Sequence, residues 1–414
     1  MNPEQLIHHI DRAFCLSFLA KMVQHKSYSA TDGERALASF MAEQMSQLGL
    51  ETELQKVPGD RLNAIGRLAG RGGGGHSLLF NGHLDTNPVT EGWTVDPWAG
   101  KIDDRFIYGI GVSNMKAGDA AYFCALKTLI DAGVKLKGDV ILTYVVGELQ
   151  GGIGTLAAIE QGVRADYFIN AEPTDLQALT MHAGSLMFTI ELTGNTRHLS
   201  KREEAVDAIS AAVELIPQIN GMIFSGAKSD EHRKINRGHI GTVHGALGRE
   251  LEEWRPPQVA DFVRLKGSAR FAPGQTVEGV LADLQALLDR LCQQYPGLKA
   301  ELFDDGIRDK PTMLPFEVSP ASPIVQAVNR AWKTVRGTDQ PTGAITPPAF
   351  YGTDAAHFYQ HAGMEGIVCG PGGKYNTMPD ERVEINEYLD MVRIYLLAIL
   401  DICQQDEQPV KRDV

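Results

Sequence analysis

Four short blocks carry residue types and spacings that could do chemistry. FNGHLDTNPV (80–89) ends an apolar run in His83 with Asp85 two residues on. IYGIGVSNMKAGDAA (107–121) brings Asn114 and Lys116 to the start of a helical stretch. VVGELQGGIGT (145–155) puts Glu148 after an apolar run, and NAEPTD (170–175) does the same for Glu172. An imidazole can bind a metal through one ring nitrogen while a carboxylate fixes the other, which is the role the spacing offers Asp85. Alone, the His-x-Asp pair also suits a hydrogen-bonded structural histidine. The recurrence of polar residues just beyond apolar strands changes that reading, because strand ends are where α/β sheets gather ligands.

The elements that would position these groups follow from the pattern. The opening MNPEQLIHHIDRAFCLSFLAKM reads as one amphipathic helix, and Asp32 to Gln47 as a second, with Ala36, Phe40, Met41, Met45 and Leu48 at helical spacing. Beyond residue 77, strands alternate with helices: 78–80, 117–132, 139–146, 154–161 and 166–171, which implies helices packed on a central sheet. From His182 the pattern shifts to SLMFTIELTG, a helix over 203–216, IGTVHG, VRLKGSARF and a helix over 277–294, a separate α+β lobe. The expected fold class is α/β, with segments 1–181 and 306–414 forming one domain around an insert at 182–305. The glycine run 72–75 lacks a phosphate-loop ending and reads as a mobile hairpin turn, and the terminal DEQPVKRDV reads as disordered.

Composition narrows the partners. With 39 basic and 52 acidic residues the formal charge is −13, which disfavours a nucleic-acid backbone. No apolar stretch approaches the ~20 residues of a membrane span. The amino terminus lacks a signal-peptide pattern, so a cytoplasmic location is the expectation. Five cysteines without CxxC spacing argue against both a disulfide framework and a thiolate zinc site.

The order of motifs GHLDT, YGIG, NMK, GELQGG, AEPT, RH, SARFAPGQT, YGTDA, CGPGG and PDE, spread over residues 10 to 402, resembles the dinuclear metallohydrolases that include acetylornithine deacetylase, aminoacylase and carboxypeptidase G. The resemblance implies a zinc-hydrolase-type catalytic domain with an inserted lid domain that dimerises, and a small anionic substrate. It places one metal on His83, Asn114 and Glu172, with Asn114 where the family has a bridging aspartate. The second metal's remaining positions carry Leu149 and Thr377, which offer no adequate ligand, so a single divalent transition metal per chain is expected, Mn²⁺ favoured over Zn²⁺, Co²⁺ or Fe²⁺.

Glu148 matches the family's general base, and His198 the histidine that holds the reacting oxygen, in the family from across a dimer. Arg270, with Arg197 more speculatively, would bind the substrate. Thr353 and Gly370 would line the pocket with backbone amides, and Lys116 reads as solvated. Loss of one metal points toward an already activated electrophile. Within the family the pared-down centre is most similar to the branch that deaminates 5-nitroanthranilate. Rival readings are an N-acyl amino acid deacylase or dipeptidase, and an inactive protein that binds small anions.

Overall fold

A computed structural model describes residues 3–71, 75–253, 256–305 and 313–404. Most of the glycine run and the whole of the terminal DEQPVKRDV lie outside the described residues. The chain divides into two units: Met1–Met181 with Phe316–Pro348 and Thr353–Val414, and His182–Pro315 with Ala349–Gly352.

The first unit is built on a mixed sheet of eight strands among the described residues. Their order across the sheet is Glu51–Val57, Arg61–Leu68, Val140–Val145, Leu78–His83, Tyr167–Asn170, Glu365–Val368, Ala178–Leu179 and Thr342–Gly343. Leu78–His83 lies between Val140–Val145 and Tyr167–Asn170 and runs parallel to both. Every residue of these three strands is buried, as expected of parallel strands covered on both faces. Because they are parallel and adjacent, their carboxyl ends share one edge, and residues 83, 148 and 172 follow from those ends.

Helices Arg12–Gln24, Asp32–Gln47, Ala117–Asp131, Pro323–Arg336 and Ile385–Gln404 complete much of this unit. The opening segment is not one helix. It breaks at Ile10, and Asp11 caps the helix Arg12–Gln24 by accepting from the Phe14 N–H at 2.9 Å. In Asp32–Gln47 the buried face runs through Leu37, Ala38, Met41 and Met45, while Ala36 is exposed. Buried Glu34 on that face is an ion-pair residue that apolar periodicity could not reveal.

The second unit is an α+β body whose antiparallel sheet has the order Arg237–Ala246, Phe262–Phe271, Gly184–Thr193, Lys299–Asp304. Helices Ala208–Asn220 and Val277–Gln294 contribute Leu215, Leu284 and Leu288 to a core shared with Phe188, Ile190 and Phe271 of the strands. The first of these helices starts at Ala208 rather than 203. Asp207 accepts from the N–H groups of Ile209 and Ser210 and so sets the start, with a 3₁₀ turn over Leu199–Glu204 before it. Among the described residues, no helix is long and apolar enough to cross a membrane.

Candidate metal centre

His83 closes its strand at 2 % exposure. Its Nδ1 lies 2.9 Å from the backbone carbonyl of Asp85, and its Nε2 lies 3.2 Å from Asn114 Oδ1, 3.4 Å from Glu172 Oε1 and 4.0 Å from Glu148 Oε2. Asn114 sits in an irregular turn, Val112–Lys116, entered through Gly111 at φ 72°. Glu148 opens a 3₁₀ turn, Glu148–Gln150, framed by Gly147, Gly151 and Gly152, whose φ values of 80°, 86° and 79° favour glycine.

The carboxylate of Asp85 is the organiser of that turn. Oδ1 accepts from Gly147 N–H at 2.9 Å and Glu148 N–H at 3.4 Å; Oδ2 accepts from Leu149 N–H at 3.4 Å and Ser29 Oγ at 2.9 Å. The His-x-Asp spacing assigns this carboxylate to His83, but its oxygen is 3.6 Å from Nδ1, and the main-chain carbonyl at 2.9 Å is the closer acceptor. Behind Asp85, Arg61 donates to Glu34 and, at 2.8 Å, to Gln150 Oε1. Neither Arg61 nor Glu34 carried a sequence signal, because their partners are far along the chain.

The charges are crowded. Burial pushes the Glu148 carboxyl well above its usual range, and the neighbouring charge of Glu172 pushes the same way. Burial raises Glu172 to about 7 against the pull of His83. Burial would lower His83, yet Glu172, Asp85 and Glu148 outweigh it and hold the imidazole well above 6.5. For Asp85, burial is more than offset by the charge of His83 beside it, the Ser29 hydroxyl and Arg61, and the carboxyl falls to about 2.

This donor set fits a divalent cation. His83, Glu148 and Glu172 each offer a ligand atom, all within 4.8 Å of one another, and among the described residues no other group of three or more such residues converges. A cation about 2.1 Å from each ligand requires ligand atoms roughly 3 to 3.5 Å apart, the spacing His83 Nε2 keeps from Asn114 and Glu172. Positive charge would also relieve the clustered carboxylates.

Other expected site residues are placed differently. The Gly370 N–H donates to Thr174 Oγ1 at 3.2 Å, and its carbonyl accepts from Thr174 and Leu176, so this amide is not free for a substrate. Any Cβ at Gly370 would stand 2.1 Å from the Ala171 carbonyl oxygen, so close packing demands glycine there. Thr353 is buried, and its hydroxyl accepts from the Ala355 N–H at 3.2 Å. Lys116 is not solvated: it is fully buried, donates to the His25 carbonyl at 3.1 Å and lies over the Trp98 ring. Burial brings it down to about 7 despite Glu381 and Asp119.

His198, Arg197 and Arg270 belong to the second unit. His198 is exposed and its Nδ1 accepts from the Ser200 N–H at 3.2 Å, which leaves Nε2–H as a donor. Arg197 donates to Asn195 and Thr196, and half-buried Arg270 donates to Ser185.

Comparison with known proteins agrees with this architecture. The chain is 27% identical to the N-formyl-4-amino-5-aminomethyl-2-methylpyrimidine deformylase of Bacillus subtilis over 394 residues, 90% of each protein. It is also 27% identical to an acetylornithine deacetylase of Salmonella paratyphi B over 380 residues, 88% of this chain and 91% of that enzyme. Among solved structures, aminopeptidase PepT of Bacillus cereus superposes with a TM-score of 0.75 at 19% identity, covering 95% of this chain and 99% of that one. Human carnosine dipeptidase 1 superposes with a TM-score of 0.72 at 15% identity, covering 98% and 99%. The model of peptidase family M20/M25/M40 matches residues 79–401, and the chain belongs to that family.

Proposed function

We propose that this protein is a metal-dependent hydrolase cleaving a C–N bond in a small carboxylate-bearing substrate, and that the substrate is 5-nitroanthranilate. Family membership supports the hydrolase class and the divalent metal. One observation carries the finer reading: His83, Asn114 and Glu172 converge beside Glu148, while the positions that would build a second cation site hold Leu149 and Thr377. With one cation's worth of polarisation removed, the electrophile should be activated by its own substituents.

His83, Asn114 and Glu172 would hold the cation, Mn²⁺ by preference, which supplies Lewis acidity toward water and toward the substrate's amine and carboxylate. Glu148 takes a proton from the attacking water as its oxygen bonds to the ring carbon bearing the amine. The ring electrons move to the nitro group para to that carbon. Glu148 then delivers the proton to nitrogen, the C–N bond breaks, ammonia leaves and 5-nitrosalicylate remains. A carboxyl raised toward neutrality by burial suits this carrier role, since it can both accept and release the proton.

In this reading His198 donates through Nε2–H to the reacting oxygen, and Arg270, assisted by Arg197, binds substrate. A homodimer through the second unit completes the assignment.

The two curated relatives favour a second reading, hydrolysis of an N-formyl or N-acetyl amide. Ammonia release from 5-nitroanthranilate by Mn²⁺-loaded protein, run beside N-formyl and N-acetyl amino acids and dipeptides, separates the two. Ammonia from the nitroaromatic alone supports the deaminase; turnover of the acyl panel alone replaces it, and silence throughout points to a binding protein.

A further inference from the structure

Asp85 gathers the N–H groups at the start of the Glu148 turn. The end of that turn is held by different residues. The Gly151 carbonyl lies 2.9 Å from His357 Nε2, and since a carbonyl only accepts, this nitrogen carries the proton. Burial keeps the imidazole below its ordinary pKa, so the ring is neutral, and its Nδ1 has no hydrogen-bond partner among the described residues. At the next position the fit is close: a Cβ on Gly152 would stand 2.4 Å from Asp354 Oδ1 and 2.5 Å from His357 Cδ2 and Nε2. Gly152 also has a φ of 79°, so both space and backbone disfavour a side chain there.

Asp354 and His357 belong to one short helix, Ala355–Ala362, with Asp354 as its N-cap residue. The Asp354 carboxylate accepts from Thr155 Oγ1 at 2.7 Å; Thr155 Oγ1 accepts from Asn81 Nδ2 at 3.2 Å, and Asn81 Oδ1 accepts from Asn170 Nδ2 at 2.8 Å. All of these side chains are buried. Asn81 and Asn170 stand two residues before His83 and Glu172 on their strands. Phe358, next to His357, packs on Phe168 of the strand that leads to Glu172, with ring centroids 5.4 Å apart. The helix is therefore bonded to the turn that bears Glu148 and, through a chain of buried polar groups, to the strands that bear the metal ligands. Such a network holds its members in one arrangement, because breaking any link leaves a buried polar group unpaired.

We propose that His357, backed by Asp354, is a positioning residue for Glu148: its Nε2–H fixes the Gly151 carbonyl and thereby the place of the base relative to His83 and Glu172. The role rests on the reading of Glu148 as the proton carrier. His357 itself touches neither substrate nor metal in this assignment. A displaced base loses alignment with the water it deprotonates, whereas His83 and Glu172 keep the support of their own strands. The cost should therefore appear in kcat and not in metal content or ligand affinity.

The test uses Mn²⁺-loaded protein and whichever compound of the panel above turns over. His357→Leu removes the donor and should lower kcat about tenfold, with metal content and 5-nitrosalicylate affinity as in wild type. His357→Gln offers an amide N–H near the place of Nε2 and should bring kcat back to within about threefold of wild type. In a Glu148→Gln background His357→Leu should change kcat by less than about twofold, because a residue acting through Glu148 has nothing left to position. His357→Asn, whose shorter amide does not reach Gly151, replaces the leucine variant should that not fold. A repeated tenfold loss in the Glu148→Gln background, no rescue by glutamine, or loss of metal in step with activity would overturn the role. Amide hydrogen exchange reads the same contact without turnover: residues 148–152 should exchange about fivefold faster in His357→Leu while residues 78–83 are unchanged. Faster exchange in a protein that releases no ammonia from 5-nitroanthranilate leaves the positioning role standing and the reaction assignment fallen. Ammonia release with kcat and exchange both unchanged in His357→Leu gives the reverse.

Discussion

The imidazole of His83 stands closer to the backbone carbonyl of Asp85, at 2.9 Å, than to that residue's carboxylate, at 3.6 Å. A carbonyl can only accept, so Nδ1 carries a proton, and Nε2 is the nitrogen that faces Asn114 and Glu172 and would offer its lone pair to a cation in place of its proton. The same arrangement frees the Asp85 carboxylate to gather the N–H groups of Gly147, Glu148 and Leu149. One residue thus sets the tautomer with its main chain and the position of the base with its side chain.

Asp85→Asn should therefore damage catalysis more than metal binding. The amide substitutes a donor for one acceptor oxygen amid N–H groups, while the carbonyl that orients His83 is untouched. We expect kcat to fall about 10- to 100-fold with metal content per chain near wild type. Steady-state kinetics and elemental analysis on the same samples check this; loss of metal in proportion to activity would contradict it.

The same substitution should change acid stability. Asp85 lies at about 2 in the folded protein against an ordinary aspartate value of 3.8. A depressed carboxyl contributes stability that is fully present above pH ~4 and disappears as pH falls toward 2. The contribution is about 2 kcal/mol. Denaturant midpoints for wild type and Asp85→Asn should thus converge between pH 4 and pH 2, with the wild-type curve the steeper.

Glu148→Gln keeps the shape of the turn and removes the proton carrier. The expected loss in kcat is about 10² to 10⁴, with affinity for 5-nitrosalicylate retained. A variant that keeps most of its turnover would remove Glu148 from the mechanism.

Chelation should abolish activity, and titration with Mn²⁺ should restore it at about one ion per chain. Asn114→Asp should tighten metal binding by adding negative charge, yet stoichiometry should stay near one because Leu149 and Thr377 still offer no adequate ligand. Elemental analysis after gel filtration reads both, and a wild-type count near two would refute the single-metal centre.

What was legible in the sequence follows from what each residue answers to. His83, Glu148 and Glu172 follow three buried apolar strands, and parallel pairing alone brings such positions to one edge. Gly370 sits in a motif that promises a pocket, but its amide serves Thr174, a partner that only packing reveals. Lys116 reads as solvent-facing by type and is enclosed instead beside His25 and Trp98. The helix start at Ala208 was misplaced because Asp207, a capping residue, overrides the apolar pattern that begins before it.

The Arg61–Glu34 pair belongs to the illegible part, and it ties stability to the site. Both side chains are buried, at 6 % and 2 % exposure, and Arg61 also reaches Gln150 of the Glu148 turn, with Asp85 Oδ2 3.9 Å away. Removing Glu34 leaves the buried guanidinium only Gln150 and the Asp85 oxygen at 3.9 Å, so Glu34→Ala should cost up to about 3 kcal/mol. A double variant, Glu34→Leu with Arg61→Met, removes both charges and should recover most of that loss. It should not bring kcat to the wild-type value, because only the double variant also takes Arg61 away from Gln150 and Asp85. Unfolding curves and kinetics on the single and double variants separate the two roles: stability and activity recovering together would make the pair purely structural, whereas recovery of stability alone assigns Arg61 to the positioning of Glu148.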